Sequence, residues 1–232
     1  MKRIAFIGGT DKTSMLIYIA KVLTIMGNKV LIMDTTVCQK ARYIVPAMQS
    51  SKRYITSFEN IDIAVGFETF YQIKAYNHLE KTDKLDYDFI LIDIDSYRGY
   101  YYAHLKPTEP HFFITSLDLY SIRRGLQVFK RFPETITLSR VLISKNMDNR
   151  EIDYIDKMTS RYPVKWKSKN IFFPFSTEDM TAIYENQLTG RIQVKGLSKT
   201  YIDSINYMVE EIFGEDLNVG AVKKAIKVLA KR

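Results

Sequence analysis

Ile4-Ala5-Phe6-Ile7-Gly8-Gly9-Thr10-Asp11-Lys12-Thr13-Ser14 reads as a short apolar run, a Gly-rich turn, a lysine and two hydroxyl residues in immediate succession. From Lys12 to Met26 the apolar residues then recur at helical spacing, and Gly27 follows as a C′ residue. The stretch therefore predicts strand, loop and helix. Small residues in such a loop let backbone N–H groups wrap a phosphate, a lysine adds charge, and a hydroxyl at the helix N-terminus reaches a magnesium ion. The candidate phosphate-binding residues are Gly8, Gly9, Thr10, Asp11, Lys12, Thr13 and Ser14. The competing reading is a Gly-rich turn whose Lys12 and Thr13 only open a helix.

Outward from this loop, strand-type apolar runs recur at Val30–Met33 (ending on Asp34), Ile61–Val65, Phe89–Ile92 (ending on Asp93), Phe112–Thr115, Arg140–Ser144 and Ile171–Phe173. Helical patterns lie between and after them, at Asp118–Phe132, Asn149–Arg161, Glu178–Asn186 and Ser198–Phe213. Alternating strands and helices predict a doubly wound α/β fold, a mainly parallel sheet with helices on both faces. Nearly continuous apolar strands fit it, because such strands are buried on both sides.

With 232 residues, 46% of them hydrophobic and 26% charged, the chain has material for one large core and no sign of disorder. The one cysteine, Cys38, has no disulfide partner in the sequence, which fits a reducing compartment. No signal-peptide pattern follows Met1, and no apolar run is long enough for a membrane span. A cytoplasmic protein is expected, peripheral at the inner face of the membrane if it meets one. His78, His104 and His111 lack metal-ligand spacing, so no structural zinc is expected.

The loop resembles the deviant phosphate-binding loop of the MinD/ParA family, Lys-Gly-Gly-x-Gly-Lys-Thr-Thr/Ser. The resemblance extends through the strand ending in Asp34, the Tyr87–Asp93 strand that matches the family's Walker B element, and the Ile114–Gly125 strand, turn and helix. Ile171–Phe175 with Glu178–Gly190 resembles the late strand and the loop over the adenine, so the likeness runs from about Lys2 to Gly214. It implies a P-loop NTPase-like domain over 1–214, binding ATP, with Mg held by Thr13, Asp34 and Asp93. Three positions depart from the pattern. Ile7 stands for the signature lysine that crosses the nucleotide-sandwiched dimer, Asp11 for a glycine, and Thr36 for the second acidic residue after the second strand.

Loss of that lysine removes a charge that offsets transition-state charge on the phosphates, and Asp11 sets a carboxylate against them. The resemblance with these departures implies a degenerate member, similar to TadZ/CpaE-like proteins. It would position or scaffold a pilus, secretion or partition assembly through protein partners, with weak or absent ATP hydrolysis. The alternative is an active ParA-type partition ATPase that dimerises with ATP and binds DNA non-specifically.

In the family's switch region, four tyrosines fall within Tyr97–Tyr102, stiff contact area suited to a homodimer or other interface, although composition bias alone accounts for them as well. Ile7 is expected to favour a dry contact in such a dimer. The net charge of +8 admits nucleic acid or anionic membrane as partner, or mere coding bias. A basic amphipathic helix is expected in 215–232, with Val222, Ala225, Ile226 and Leu229 opposite Lys223, Lys227 and Lys231. Its apolar side is expected either to meet membrane, as the resemblance implies, or to pack on the body or a protein partner.

Overall fold

The computed structural model describes residues 1–46, 51–144, 149–214 and 219–230. In chain order the elements are β1 (Lys2–Ile7), α1 (Thr13–Ile25), β2 (Val30–Asp34), α2 (Ala41–Ile44), β3 (Tyr54–Phe58), β4 (Ile61–Val65) and α3 (Phe70–Tyr76). There follow β5 (Phe89–Ile94), α4 (Tyr97–Ala103), β6 (Phe112–Ser116), α5 (Leu119–Phe129), β7 (Ile136–Ser144), α6 (Asn149–Thr159) and β8 (Val164–Pro174). The chain closes with α7 (Thr177–Thr189), α8 (Lys199–Phe213) and α9 (Val219–Leu229).

The strands form one eight-stranded sheet in the order β3-β4-β2-β5-β1-β6-β7-β8. Every neighbouring pair is parallel except β3 and β4. The doubly wound, mainly parallel architecture expected from the alternating pattern is the one observed. Because side chains alternate across a strand, β1 sends Ile4 and Phe6 to one face and Ala5 and Ile7 to the other. The first face packs under α1, α8 and α9, through Leu16, Leu23, Met208 and Val222. The second packs under α3, α5 and α6, through Ile73, Ile122, Phe129 and Ile155. Both layers are closed to water, which is why these strands read as unbroken apolar runs.

The antiparallel β3 was not expected. It joins β4 through Glu59-Asn60, whose φ values of 51° and 67° give the two positive dihedrals of a tight hairpin turn without any glycine. The C-terminal helix α9 lies against the body. Val222, Ala225, Ile226 and Leu229 are buried in the cluster formed with α1 and α8, while Lys223, Lys224 and Lys227 face outward. Its main apolar side is covered by the body, and its outward side carries the lysines with Val228 among them. The expected boundary at 214/215, the tail's start at Asn218 and Lys231 lie outside the described residues. No helix among the described residues is long and apolar enough to cross a membrane.

His111 fixes the flank of β1. Ala5 N–H donates to its Nδ1 at 3.2 Å, which leaves the proton on Nε2 to bond the Lys106 carbonyl at 2.9 Å. Burial holds its pKa down to about 4, since the charged ring would lose water and the Ala5 bond. A folded pKa below the unfolded one means the unfolded chain takes up protons first. Stability is thus full above about pH 6.5 and falls toward pH 4, by up to about 3 kcal/mol at the acid end of that window. Denaturant midpoints at pH 7 and pH 4.5 should show this loss, and His111→Gln should flatten the slope between them.

Candidate functional site

At the C-terminal edge of the sheet, β1 turns sharply into the loop that precedes α1. Gly8 donates its N–H to the Ile94 carbonyl at 2.9 Å and presses so closely on β6 that a Cβ there would lie 1.9 Å from the Ile114 carbonyl oxygen. Gly9 lies under α5, where a Cβ would come within 2.6 Å of Arg124 Cβ. Thr10 Oγ1 accepts the Ser116 N–H at 3.1 Å. The loop is wedged between β5, β6 and α5, and both glycines are required by close approach.

Lys12 is buried, with 2% of its surface exposed, and its ammonium turns back into the loop. It donates to Gly8 O at 2.9 Å and Thr10 O at 3.1 Å and lies 2.8 Å from Asp93 Oδ1, an ion pair out of line for a hydrogen bond. Burial pushes the Asp93 carboxyl well above the ordinary carboxylate range, with Lys12 pulling it back and neighbouring Asp34 raising it further. Asp34 and Asp93 are register partners on β2 and β5. Two of the lysine's N–H groups are thus spent on loop carbonyls, and its charge is set against Asp93.

The other candidates are likewise engaged. Thr13 donates both its N–H and its Oγ1–H to Asp11 Oδ1, at 3.1 and 3.0 Å, and Lys40 pairs with Asp11 Oδ2. Ser14 Oγ accepts from Gln187 Nε2 of α7 at 3.1 Å. Asp34 Oδ1 accepts from Thr36 N at 3.0 Å and Thr36 Oγ1 at 2.6 Å, and Asp34 Oδ2 from Ala41 N at 3.1 Å. Asp34 therefore shapes the β2–α2 loop and holds the first N–H of α2. Thr13, Asp34 and Asp93 lie around one edge, but as arranged they do not fit a magnesium ion. The threonine hydroxyl is turned to a carboxylate, Asp34 is used by backbone and hydroxyl donors, and Asp93 faces an ammonium. No cluster of three His, Cys, Asp or Glu among the described residues is suited to hold a metal.

Two residues absent from the sequence expectation belong to this edge, and neither carries a motif signal. Lys40 reaches the loop from the start of α2, and Arg124 lies across Gly9 with its guanidinium 3.5 Å from Asp95. Asp95 in turn accepts the Val37 N–H at 3.2 Å, so the segments after β2 and β5 are joined to α5. Ile7 corrects the expectation of a dry contact with a partner: it is fully buried against Ile94 and Phe113 in the core beneath α5. Beside Ser14 lies a small cavity lined by Ile17, Tyr18 and Ile183.

The same fold occurs in solved ATPases. A ParA family ATPase from Chlorobium tepidum TLS superposes with a TM-score of 0.57 at 18% identity, covering 89% of this chain and 96% of that one. MinD in the MinC:MinD cell division complex of Aquifex aeolicus gives 0.54 at 14% identity, over 91% and 97% of the two chains. An ATP complex of a Cyanothece McdA variant gives 0.54 at 12% identity, over 98% and 96%. Identities this low establish the fold, that of ParA/MinD P-loop ATPases, and not the chemistry. No protein-family model and no curated protein matches the sequence.

Lys12 is the counter-charge of a buried carboxylate. Replacing it by methionine leaves Asp93 buried without its counter-charge and should cost about 3 kcal/mol near pH 8. With Lys12 gone, the folded pKa of Asp93 moves further above its unfolded value. The penalty should therefore shrink as pH falls and the carboxyl protonates, so the gap in melting temperature between Lys12→Met and wild type should be smaller at pH 5 than at pH 8.

Proposed function

We propose that this chain is a catalytically silent relative of the ParA/MinD ATPases in fold, acting as a positioning or scaffold component that binds protein partners in a larger assembly of pilus, secretion or partition type. The observation that carries the reading is the state of Lys12: its ammonium is bound to Gly8 O, Thr10 O and Asp93 within the protein. A lysine so held is a strut under the loop. Three further features support it. Ile7 is an apolar core residue in place of a charge, Asp11 brings a carboxylate to the loop, and Thr36 is tied to Asp34 where a second carboxylate would orient water. Nucleotide and magnesium then have no part in the working cycle, and trans-activated hydrolysis has no group to perform it.

The partner surface on this reading is α4 and the neighbouring face of α5. Tyr97 and Tyr101 are 41% and 57% exposed, with their rings 5.9 Å apart, and the Arg131 guanidinium lies 5.8 Å from the Tyr97 ring. Tyrosines with arginines make contact area at low entropic cost, typical of interface hot spots. Gly99, whose added Cβ would meet Thr35 Oγ1 at 2.5 Å, keeps α4 close to the β2 loop. Homodimerisation through this face requires no nucleotide.

Steady-state ATP turnover by the purified protein should be indistinguishable from background, and Lys12→Ala should not change it. Turnover at the level of an intact family ATPase, abolished by Lys12→Ala, overturns the proposal and favours the partition-ATPase reading, which salt-dependent DNA binding would then test. Sedimentation velocity should show the same oligomeric state with and without ATP, and Tyr101→Ala should weaken self-association at least tenfold. A monomer that dimerises only on adding ATP counts against the scaffold reading.

A further inference from the structure

Asp11 replaces a residue that, in a phosphate-binding loop, has to leave room for the ligand. Its carboxylate does more than crowd the loop. One oxygen takes the N–H and the hydroxyl of Thr13, at 3.1 and 3.0 Å, and the other takes the ammonium of Lys40. A helix N-terminal amide, a first-turn hydroxyl and a lysine are the donor types a phosphate group takes at such a place. Lys40 comes from the β2–α2 segment, so the pair also joins two loops that are separate in sequence. That segment is itself held by Asp34, through Thr36 and the Ala41 N–H.

We propose that Asp11 is a built-in anion, latched by Lys40, that stands in for a nucleotide phosphate, blocks nucleotide binding and bridges the β1–α1 and β2–α2 loops without a ligand. The inference deepens the scaffold reading and rests on it: a loop that carries its own anion has a fixed rather than a cycled conformation. Two observations beyond the motif support it. Desolvation raises the Asp11 pKa, but the bonds from Lys40 and Thr13 outweigh it and hold the carboxyl below its ordinary value, so it stays charged at neutral pH. The neighbouring Lys12 is withdrawn toward Asp93, while Asp11 and Lys40 form a half-exposed pair at the mouth of the loop.

The test is equilibrium binding of Mg-AMPPNP and Mg-ADP by calorimetry to wild type, Asp11→Gly, Asp11→Asn and Lys40→Ala, with circular dichroism to verify folding. Asn keeps an oxygen for the Thr13 N–H and removes only the charge, so it serves where glycine loosens the loop. Wild type should show no saturable binding at millimolar nucleotide. Asp11→Gly should gain at least a hundredfold in affinity, Asp11→Asn a smaller gain, and Lys40→Ala none, with a lower melting temperature. Folded Asp11 variants that bind no better than wild type overturn the latch and leave the scaffold reading standing. Wild type that binds and hydrolyses ATP overturns the scaffold reading. Wild type that binds tightly without turnover, unaffected by Asp11→Gly, overturns the latch alone.

Discussion

Parallel strands buried on both faces gather their polar obligations at one edge, and here that edge is governed by the Lys12 ammonium. Asp93 is the last residue but one of β5, a strand with no exposed residue, and its carboxylate would stand uncompensated in a dry environment without the lysine 2.8 Å away. The same ammonium holds Gly8 O and Thr10 O, and so fixes the curvature of the loop that joins β1 to α1. The curvature in turn lets Gly8 lie against Ile114 and Thr10 reach Ser116, which joins β1, β5 and β6 into one rigid edge. The helices α4 and α5 pack beside this edge, on β5 and β6.

Most of the architecture was legible because strands buried on both sides and helices with one apolar stripe leave different periods in the sequence. What escaped notice did so for identifiable reasons. β3 alternates apolar and polar residues weakly, and its turn, Glu59-Asn60, uses positive dihedrals at residues that do not advertise them. β7 begins at Ile136 and β8 at Val164, ahead of the apolar runs by which strands were recognised. The early part of β8 carries Lys165, Lys167 and Lys169 alternating with other residues, because this strand closes the sheet. Lysines on an edge strand resist pairing with other chains, and they hide the strand from any search for continuous hydrophobicity.

The candidate site was legible in its membership and not in its wiring. Gly8 through Ser14, Asp34 and Asp93 do collect at one edge, because their order along a doubly wound sheet dictates it. That Asp34 caps α2, that Thr13 is turned to Asp11 and that Lys12 is turned to Asp93 depends on side-chain directions, which no spacing rule encodes. Lys40 and Arg124 were invisible for the same reason: each reaches the loop from an element whose place follows only from the folded chain. Ile7 shows the opposite case. Its identity was noticed, but its direction was decided by strand alternation, which buries it with Ala5 on the α5 side of the sheet.

The side chains of the loop each hold a partner within the chain. Gly8 is retained by a contact that any Cβ would violate, and Lys12 by a buried carboxylate that would otherwise lack a counter-charge. Neither requirement involves a ligand. Ile7 adds to core packing, and Thr36 bonds Asp34 and accepts the Gln39 N–H at 3.0 Å. Asp11 was admissible because Lys40 and Thr13 compensate it within the chain. Gly8 and Lys12 thus answer to contacts within the fold, and Asp11 answers to Lys40 and Thr13. Which partner each side chain holds is decided by its direction in the folded chain, and the motif alone does not carry it.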